Sequence, residues 1–276
     1  MSAAPVETTI IAPGRGRLHL RLDELWAYRE LLYFLVWRDV KVRYRHTVLG
    51  AAWALLQPVL TMAVFAVVFG RLAHVPSDGQ PYALFVLTAL VPWTYFATAV
   101  AAGANSLVGS EHLISKVYFP RVLIPAAAVL TPMIDFLIGL ALVVTVLLAV
   151  GRVPPAAIVM LPLFVALAGL TSLAAALWSS ALNVKYRDVR YLLPFFIQFW
   201  MFATPLAYPS SIVPEQWRAL LGLNPMAAVA EGFRWMLLGT APPMALAAVS
   251  TLVVTLALVT GFAYFRRMEG TFADVL

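Results

Sequence analysis

Six long apolar stretches dominate the chain and constrain its fold more than any other feature. A helix that crosses a bilayer needs about 20 mainly apolar residues to span a hydrocarbon core roughly 30 Å thick. Only 12% of the 276 residues are charged, compared with about 25% in an ordinary soluble domain. The stretches cover residues 51–69, 82–104, 122–150, 156–182, 192–207 and 244–265.

Backbone amide and carbonyl groups inside lipid must be hydrogen-bonded within their own segment, so these stretches predict six transmembrane helices. The strands of a membrane barrel would alternate apolar and polar residues, and these stretches do not. The sequence therefore predicts an all-α integral membrane protein. The fifth stretch is the shortest, and it meets a proline at position 205.

Basic residues predict the orientation of the chain. If both termini lie on the same side, that side holds 15 of the 19 lysines and arginines. Because positive residues are retained in the cytoplasm, both termini are predicted to be cytoplasmic. The net charge of +6 is explained as a topology signal, and nucleic-acid binding is not needed to account for it.

The sequence lacks the residue patterns of several site chemistries. It contains no cysteine, which removes disulfides and thiolate ligands. A phosphate-binding P-loop needs Gly-Lys followed by Ser or Thr, and no lysine here follows a glycine. The four histidines are scattered, without metal-ligand spacing. We therefore predict no catalytic residues, no metal site and no bound cofactor, and any ATP would be bound by another polypeptide.

Residues 22–46 are predicted to form an amphipathic helix, after a disordered tail over residues 1–21. At 100° per residue, Trp26, Tyr33, Trp37 and Tyr44 fall in one narrow sector. Aromatic side chains suit the membrane–water boundary, so a helix lying in the headgroup layer is favoured over a solvated extension of the first span. The charged candidates on this helix are Arg38, Asp39, Lys41 and Arg45.

A mixed polar and apolar segment, residues 105–120, separates the second and third stretches. It ends at Pro120, and a short helix within it would lie at the cytoplasmic surface. A protein partner that held this helix could push on two spans at once, but a solvated connector has the same composition. The polar candidates are Glu111, His112, Ser115 and Lys116.

Residues 205–239, between the fifth and sixth stretches, are predicted to form two short helices. Asn224 followed by Pro225 is a helix-start signal, and the helix it opens reaches about Gly239, which is too short to cross a bilayer. A second short helix is predicted after Pro214. A segment this apolar would expose a large hydrophobic patch to water. A re-entrant pair of helices is therefore favoured over a surface loop.

Charged and aromatic residues within the apolar stretches give further candidates. Asp135 near the middle of the third stretch must face protein or water, and it could line a transport path or anchor the fold. Glu231 and Arg234 are spaced to pair across one helical turn, which is favoured over sugar binding. Flat aromatic rings could stack on sugars, although packing is their commoner role; the candidates are Trp93, Phe196, Phe199 and Trp200.

Five strings carry a family likeness that runs from about residue 22 to the C-terminus. They are YRELLYFLVWRDVKVRYRHTVLGAAWALLQPVL (28–60), VPWTYFATAVAAGANSLVGSEHLISKVYFPRVLIP (91–125), NVKYRDVRY (183–191), NPMAAVAEGFRWMLLG (224–239) and FRRMEGTFADVL (265–276). In this order they resemble segments of bacterial ABC exporter permeases, in the branch that moves O-antigen, teichoic acid and capsular polysaccharides. The likeness implies a single permease domain over residues 22–276.

The resemblance also implies partners and roles. It implies a homodimer in the bacterial inner membrane, docked on two copies of a separate cytoplasmic ATPase that uses ATP and Mg²⁺. The cargo would be a lipid-linked polysaccharide, moved from the inner leaflet to the periplasmic side. The coupling helix held by the ATPase would lie in residues 105–120, with Glu111, His112, Ser115, Lys116 and Tyr118. The re-entrant pair would close the outer end of the path, with Asn224, Glu231 and Arg234.

Alternatives stay open at this point. The nearest is an ABC permease for a drug or a small lipid. A less favoured alternative is a membrane enzyme of glycan or lipid assembly, which would need paired carboxylates or a metal cluster at the membrane face. The cytoplasmic loops offer little beyond Glu111 and Asp188. A channel or ion-coupled carrier should show repeated broken spans, which are not found.

Overall fold

The computed structural model describes residues 26–45 and 50–272, and these residues form helices and no strands. The predicted tail and residues 22–25 and 46 of the predicted first helix lie outside them. The helices are α1 (Arg29–Arg45), α2 (Gly50–Phe65), α3 (Tyr82–Ser106), α4 (Glu111–Lys116), α5 (Leu123–Leu130), α6 (Met133–Ala149), α7 (Leu161–Lys185), α8 (Val189–Ala203), α9 (Glu215–Leu221), α10 (Pro225–Leu238) and α11 (Met244–Glu269).

Within residues 26–45 and 50–272, five segments are long and apolar enough to cross a membrane, and α8 is a sixth, shorter apolar helix. The first crossing segment is α2 together with the π-helix Ala66–Leu72 that continues it. The third combines α5 and α6, and the fourth begins with a 3₁₀ turn at Ala156–Met160 before α7. The predicted all-α membrane fold is confirmed, with each predicted span matched by a helical segment.

Helix α3 lies at the centre of the bundle. In the most apolar 18-residue part of α3, 78% of the residues are buried, compared with 6% in the first span. It packs along α7 and also contacts α5, α6 and α10. A Cβ added to Gly103 of α3 would lie 2.4 Å from the Cβ of Ala176 on α7. Glycine at this position therefore permits the close approach of the two backbones, as is common between membrane helices.

The third span is divided, although the sequence predicted one continuous helix there. Helix α5 ends at Leu130 and α6 begins at Met133, with Thr131 and Pro132 between them. Because proline has no backbone N–H and its ring clashes with the preceding turn, it interrupts a helix at this position. The carbonyl of Pro132 then accepts the first hydrogen bond of the new helix, from the Phe136 amide at 3.0 Å.

Helix α10 is enclosed by other helices, whereas α9 is exposed. Helix α10 packs against α3, α7 and α11, and 12 of its 14 residues are buried. Its Phe233 ring lies 5.9 Å from Phe136, which stacks on Tyr95 at 5.1 Å, near the middle of α3. A helix too short to cross therefore reaches the centre of the bundle, which is the geometry of a re-entrant segment.

A separate apolar cluster lies at the end of the bundle that holds α4, opposite the end that holds α10. We call this end the α4 end. It joins Leu35 of α1, Ile114 of α4, Leu123 of α5 and Phe265 of α11, together with Phe272 after α11. The backbone amide of Arg121 also donates to Glu269 Oε1 at 3.1 Å. Three short segments and the last span therefore share one core at this end.

Candidate coupling, path and gate sites

Helix α4 presents its polar side chains on the surface and is anchored by apolar ones. Ile114 and Phe119 are only 5% and 4% exposed. Tyr118, between α4 and Pro120, is 75% exposed. The predicted short helix and its exposed position agree with the structure, and the polar candidates all lie on the exposed side: Glu111, His112, Ser115 and Lys116.

Helix α1 exposes Tyr33 and Trp37 and buries Leu35. Tyr33 and Trp37 are 63% and 53% exposed, while Leu35 is 5% exposed. The predicted polar residues lie on the surface, where Arg38 pairs with the adjacent Asp39 at 2.8 Å. Lys41 and Arg45 are also exposed. Helix α1 packs along α5, and its position in the headgroup layer stays a prediction.

Two residues at the end of α1 bind Asp135. Arg43 Nη1 lies 2.5 Å from Asp135 Oδ2, and the Tyr44 hydroxyl donates to Oδ1 of the same carboxylate. Burial, followed by the hydrogen bond and the charge of Asp135, raises the pKa of Tyr44 to about 12. The phenol therefore stays protonated at neutral pH and can donate this bond.

This contact identifies the partners of Asp135, which the sequence alone did not indicate. The carboxylate lies in the first turn of α6 and both of its oxygens accept hydrogen bonds from α1. The anchoring role is thus the one that its geometry supports. Sequence reasoning used Arg43 only as a topology signal and placed Tyr44 with the aromatic sector, because nothing local indicates a contact across about 90 positions.

Asn224 caps α10 and ties it to α8. Its Oδ1 accepts the Met226 amide at 3.1 Å and the indole N–H of Trp200 at 2.8 Å. Its Nδ2 donates to Thr204 Oγ1 at 2.9 Å. Gly239, with φ of 74°, ends the helix in the left-handed conformation that favours glycine. The predicted helix and both of its end signals are confirmed.

Arg234 and Glu231 form a buried ion pair on α10. Arg234 is 0% exposed and Glu231 is 8% exposed, and Arg234 Nη1 lies 3.0 Å from Glu231 Oε1. Arg234 also donates to two backbone oxygens, that of Phe85 on α3 at 3.3 Å and that of Leu206 after α8 at 2.8 Å. The pair that the sequence predicted is present, and it holds three segments together.

The four aromatic path candidates fall into different environments. Trp93 is 4% exposed and packs on Phe96 in the core. The ring of Trp93 is therefore enclosed within this chain. Trp200 is half-buried and bonded to Asn224. Phe196 and Phe199 are 56% and 63% exposed and therefore stay candidates for the path.

Comparison with known proteins matches the chain to one family over most of its length. The model of the family described as "ABC-2 type transporter" matches residues 30–238. The O-antigen export system permease protein RfbA of Myxococcus xanthus is 35% identical over 238 residues, which cover 84% of this chain and 91% of the relative.

Two further relatives are more distant. An O-antigen export system permease protein RfbA of Klebsiella pneumoniae is 25% identical over 248 residues, covering 90% of this chain and 95% of the relative. The polysialic acid transport protein KpsM of Escherichia coli is 22% identical over 195 residues, covering 70% and 76%. These matches confirm the likeness carried by the five strings. The chain therefore belongs to the family of ABC-2 type transporters, as a multi-pass membrane permease.

Proposed function

We propose that this permease exports a lipid-linked polysaccharide, of the O-antigen, teichoic acid or capsule type, across the bacterial inner membrane. The observation that carries the proposal is the 35% identity to a relative named as an O-antigen export permease, over 91% of that relative. A third relative is named as a polysialic acid transport protein. The distribution of buried and exposed residues in the structure supports the same function.

The α4 end of the bundle is the cytoplasmic end in this proposal, and both termini are proposed to be cytoplasmic. Lys116 ends α4, Lys185 ends α7, and Arg266 and Arg267 lie in the last turn of α11. Positive residues near span ends are retained in the cytoplasm. The end that holds α10 is then periplasmic, and α10 closes the path on that side.

The path is inferred to run between two protomers, along α8 and the first span. Both segments are weakly packed in one protomer, since α8 has no buried residue and only 6% of the first span is buried. Helix α11 also faces outward, but it exposes aliphatic side chains such as Leu252 and Leu256, as a lipid-facing helix does. The exposed side chains of α8 include several aromatic ones, among them Tyr191, Phe195, Phe199 and Phe202.

At 100° per residue these four aromatic side chains fall within about 80° of one another, on one face of the helix. We call them the α8 aromatic face. Rings in a row offer flat, apolar surfaces on which the carbon faces of sugars can slide, without fixed hydrogen bonds that would hold the polymer in place. This property suits a path that must pass many identical sugar units.

Energy is proposed to come from a separate cytoplasmic ATPase that holds α4. Ile114 of α4 shares one apolar cluster with Leu35 of α1 and with Leu107 at the end of α3. Because a packed core transmits displacement with little compression, a push on α4 would move α1 and the end of α3 together. The bonds from Arg43 and Tyr44 to Asp135 extend that connection from α1 to α6.

The proposal is tested by transport into vesicles that contain the purified permease. When an ABC ATPase that forms a complex with the chain is added together with ATP, we expect a lipid-linked O-antigen-type glycan to become accessible on the far side. Phe199→Ala with Phe202→Ala should slow this export, while Leu252→Ala with Leu256→Ala, on the aliphatic face of α11, should not. Export by this chain without an ATPase, or export of a small lipid but no glycan, would contradict the proposal.

A further inference from the structure

A groove of about 430 Å³ runs along the side of the bundle, on the face of α8 opposite the aromatic face. Its floor is buried and includes Phe96 of α3 and Ala174 of α7, while α11 forms one wall. Leu192 and Phe196 of α8 form an exposed rim. The volume lies within the range of ligand pockets, roughly 300–1,000 Å³.

The groove offers hydrocarbon and almost no free polar group. The four polar side chains in its lining are bonded within the protein. Thr171 and Ser179 donate to backbone oxygens one turn back, at 2.7 Å each. Trp178 donates to the Ala257 carbonyl at 3.3 Å, and Trp200 donates to Asn224. A sugar would find no partner for its hydroxyls here, whereas an acyl chain needs none.

The length of the groove matches one leaflet. Its lining on α8 extends from Val189 to Trp200, about 16 Å at 1.5 Å per residue. Half of a hydrocarbon core of roughly 30 Å is about 15 Å. Because Val189 and Leu182 lie at the α4 end of the bundle, the groove covers the leaflet on the side of α4.

Basic residues lie close in sequence to Val189, which lines one end of the groove. Lys185 and Arg190 are exposed, and their charges lie 5.1 Å and 5.8 Å from the ring centroids of Tyr186 and Tyr191. Arg187 is also exposed, and Asp188 is the one acidic residue between them. Cations close to a membrane surface attract anionic headgroups, and tyrosines favour the same level.

We propose that this groove holds one acyl chain of an anionic phospholipid from the leaflet on the α4 side, with its phosphate on Lys185, Arg187 and Arg190. The site is separate from the α8 aromatic face and does not depend on which cargo the permease carries. A lipid held here would fill the space between α7, α8 and α11 and support a helix that has no buried residue of its own.

The test measures the lipids that the full-length permease retains. The protein is reconstituted with phosphatidylglycerol and phosphatidylcholine of identical chains, released gently into detergent and analysed by native mass spectrometry. Wild type should retain phosphatidylglycerol in preference to phosphatidylcholine. Lys185→Gln with Arg190→Gln should lower that preference by about fivefold for each cation removed, while Arg71→Gln at the opposite end should not change it.

A second pair of variants tests the acyl-chain part of the proposal. Ala257→Phe places a ring in the groove and should lower retention of both lipids, whereas Leu256→Phe, next to it on the exposed face of α11, should retain them. Equal retention by these two variants would overturn the proposal. Preferential retention of a polyprenyl phosphate added as competitor would also overturn it. A shift from dimer to monomer in Ala257→Phe without loss of lipid would do the same, because it would show that a second copy of the chain covers the groove.

Discussion

Arg234 lies over the ring of Phe85, with its guanidinium carbon 3.5 Å from the ring centroid, while its Nη1 bonds Glu231. The arginine sits on a helix that does not cross the bundle, and the phenylalanine belongs to the central helix α3. A buried charge is tolerated only where it is paired and hydrogen-bonded. This contact meets that condition through an ion pair, two backbone oxygens and an aromatic face.

Arg234→Met should therefore destabilise the permease strongly. The change removes the cation and leaves Glu231 buried without its partner, which typically costs about 3–5 kcal/mol. The measurement is the apparent Tm of the purified protein in detergent. Arg71→Met changes an exposed arginine at the same end of the bundle and should stay within about 0.5 kcal/mol. Equal Tm values for the two variants would show that the ion pair does not hold α10.

The bonds from α1 to Asp135 should appear as a coupling energy in a double-mutant cycle. Arg43→Gln and Asp135→Asn, alone and together, should give about 0.5–1 kcal/mol of coupling, because the two side chains are about one-third exposed and solvent screens them. The control is Arg38→Gln with Asp39→Asn, a more exposed pair of adjacent residues. Its coupling should be close to zero, and a larger value there than at Asp135 would contradict the anchoring role.

The surface of α4 should control binding of the ATPase and not stability. Tyr118→Ala removes a ring that is 75% exposed, so the apparent Tm should change little, while affinity for the proposed partner ATPase should fall by about 30-fold, as for a central contact. Trp217→Ala, an exposed aromatic on α9 at the other end, should leave binding unchanged. Unchanged binding by Tyr118→Ala would remove Tyr118 from the interface.

The close contact between α3 and α7 gives a prediction for glycine substitutions. Gly103→Ala would place a methyl group 2.4 Å from Ala176 Cβ and 3.3 Å from its Cα, so the two helices must move apart, at a cost of about 1–3 kcal/mol. Gly109→Ala meets nothing within 4 Å and should not lower the apparent Tm. If both variants unfold at the same temperature, the backbones do not need this approach.

Much of the fold could be predicted because its signals are local. Runs of apolar residues indicate spans wherever they occur, and Asn224, Pro225 and Gly239 mark the ends of α10 by their own backbone preferences. Polarity alone also placed the α4 residues on the surface.

The remaining features depend on contacts between distant parts of the chain. The partners of Asp135 lie about 90 positions away, and Arg234 bonds carbonyls that any residue at those positions would carry. Trp93 and Phe199 are both aromatic residues in apolar spans, so their sequence context does not distinguish a core ring from an exposed one. Pro132 was visible in the sequence, but the continuous run around it favoured one unbroken helix.

The break at Pro132 has a mechanical consequence. Leu123 on α5 belongs to the cluster at the α4 end, whereas Phe136 on α6 packs on Phe233 of the re-entrant helix. The two halves of this span thus belong to different apolar clusters, and the Arg43–Asp135 ion pair joins α1, which packs in one cluster, to α6, which packs in the other. In the proposed mechanism, a push on α4 would therefore reach α10 as a change in the bend of this span.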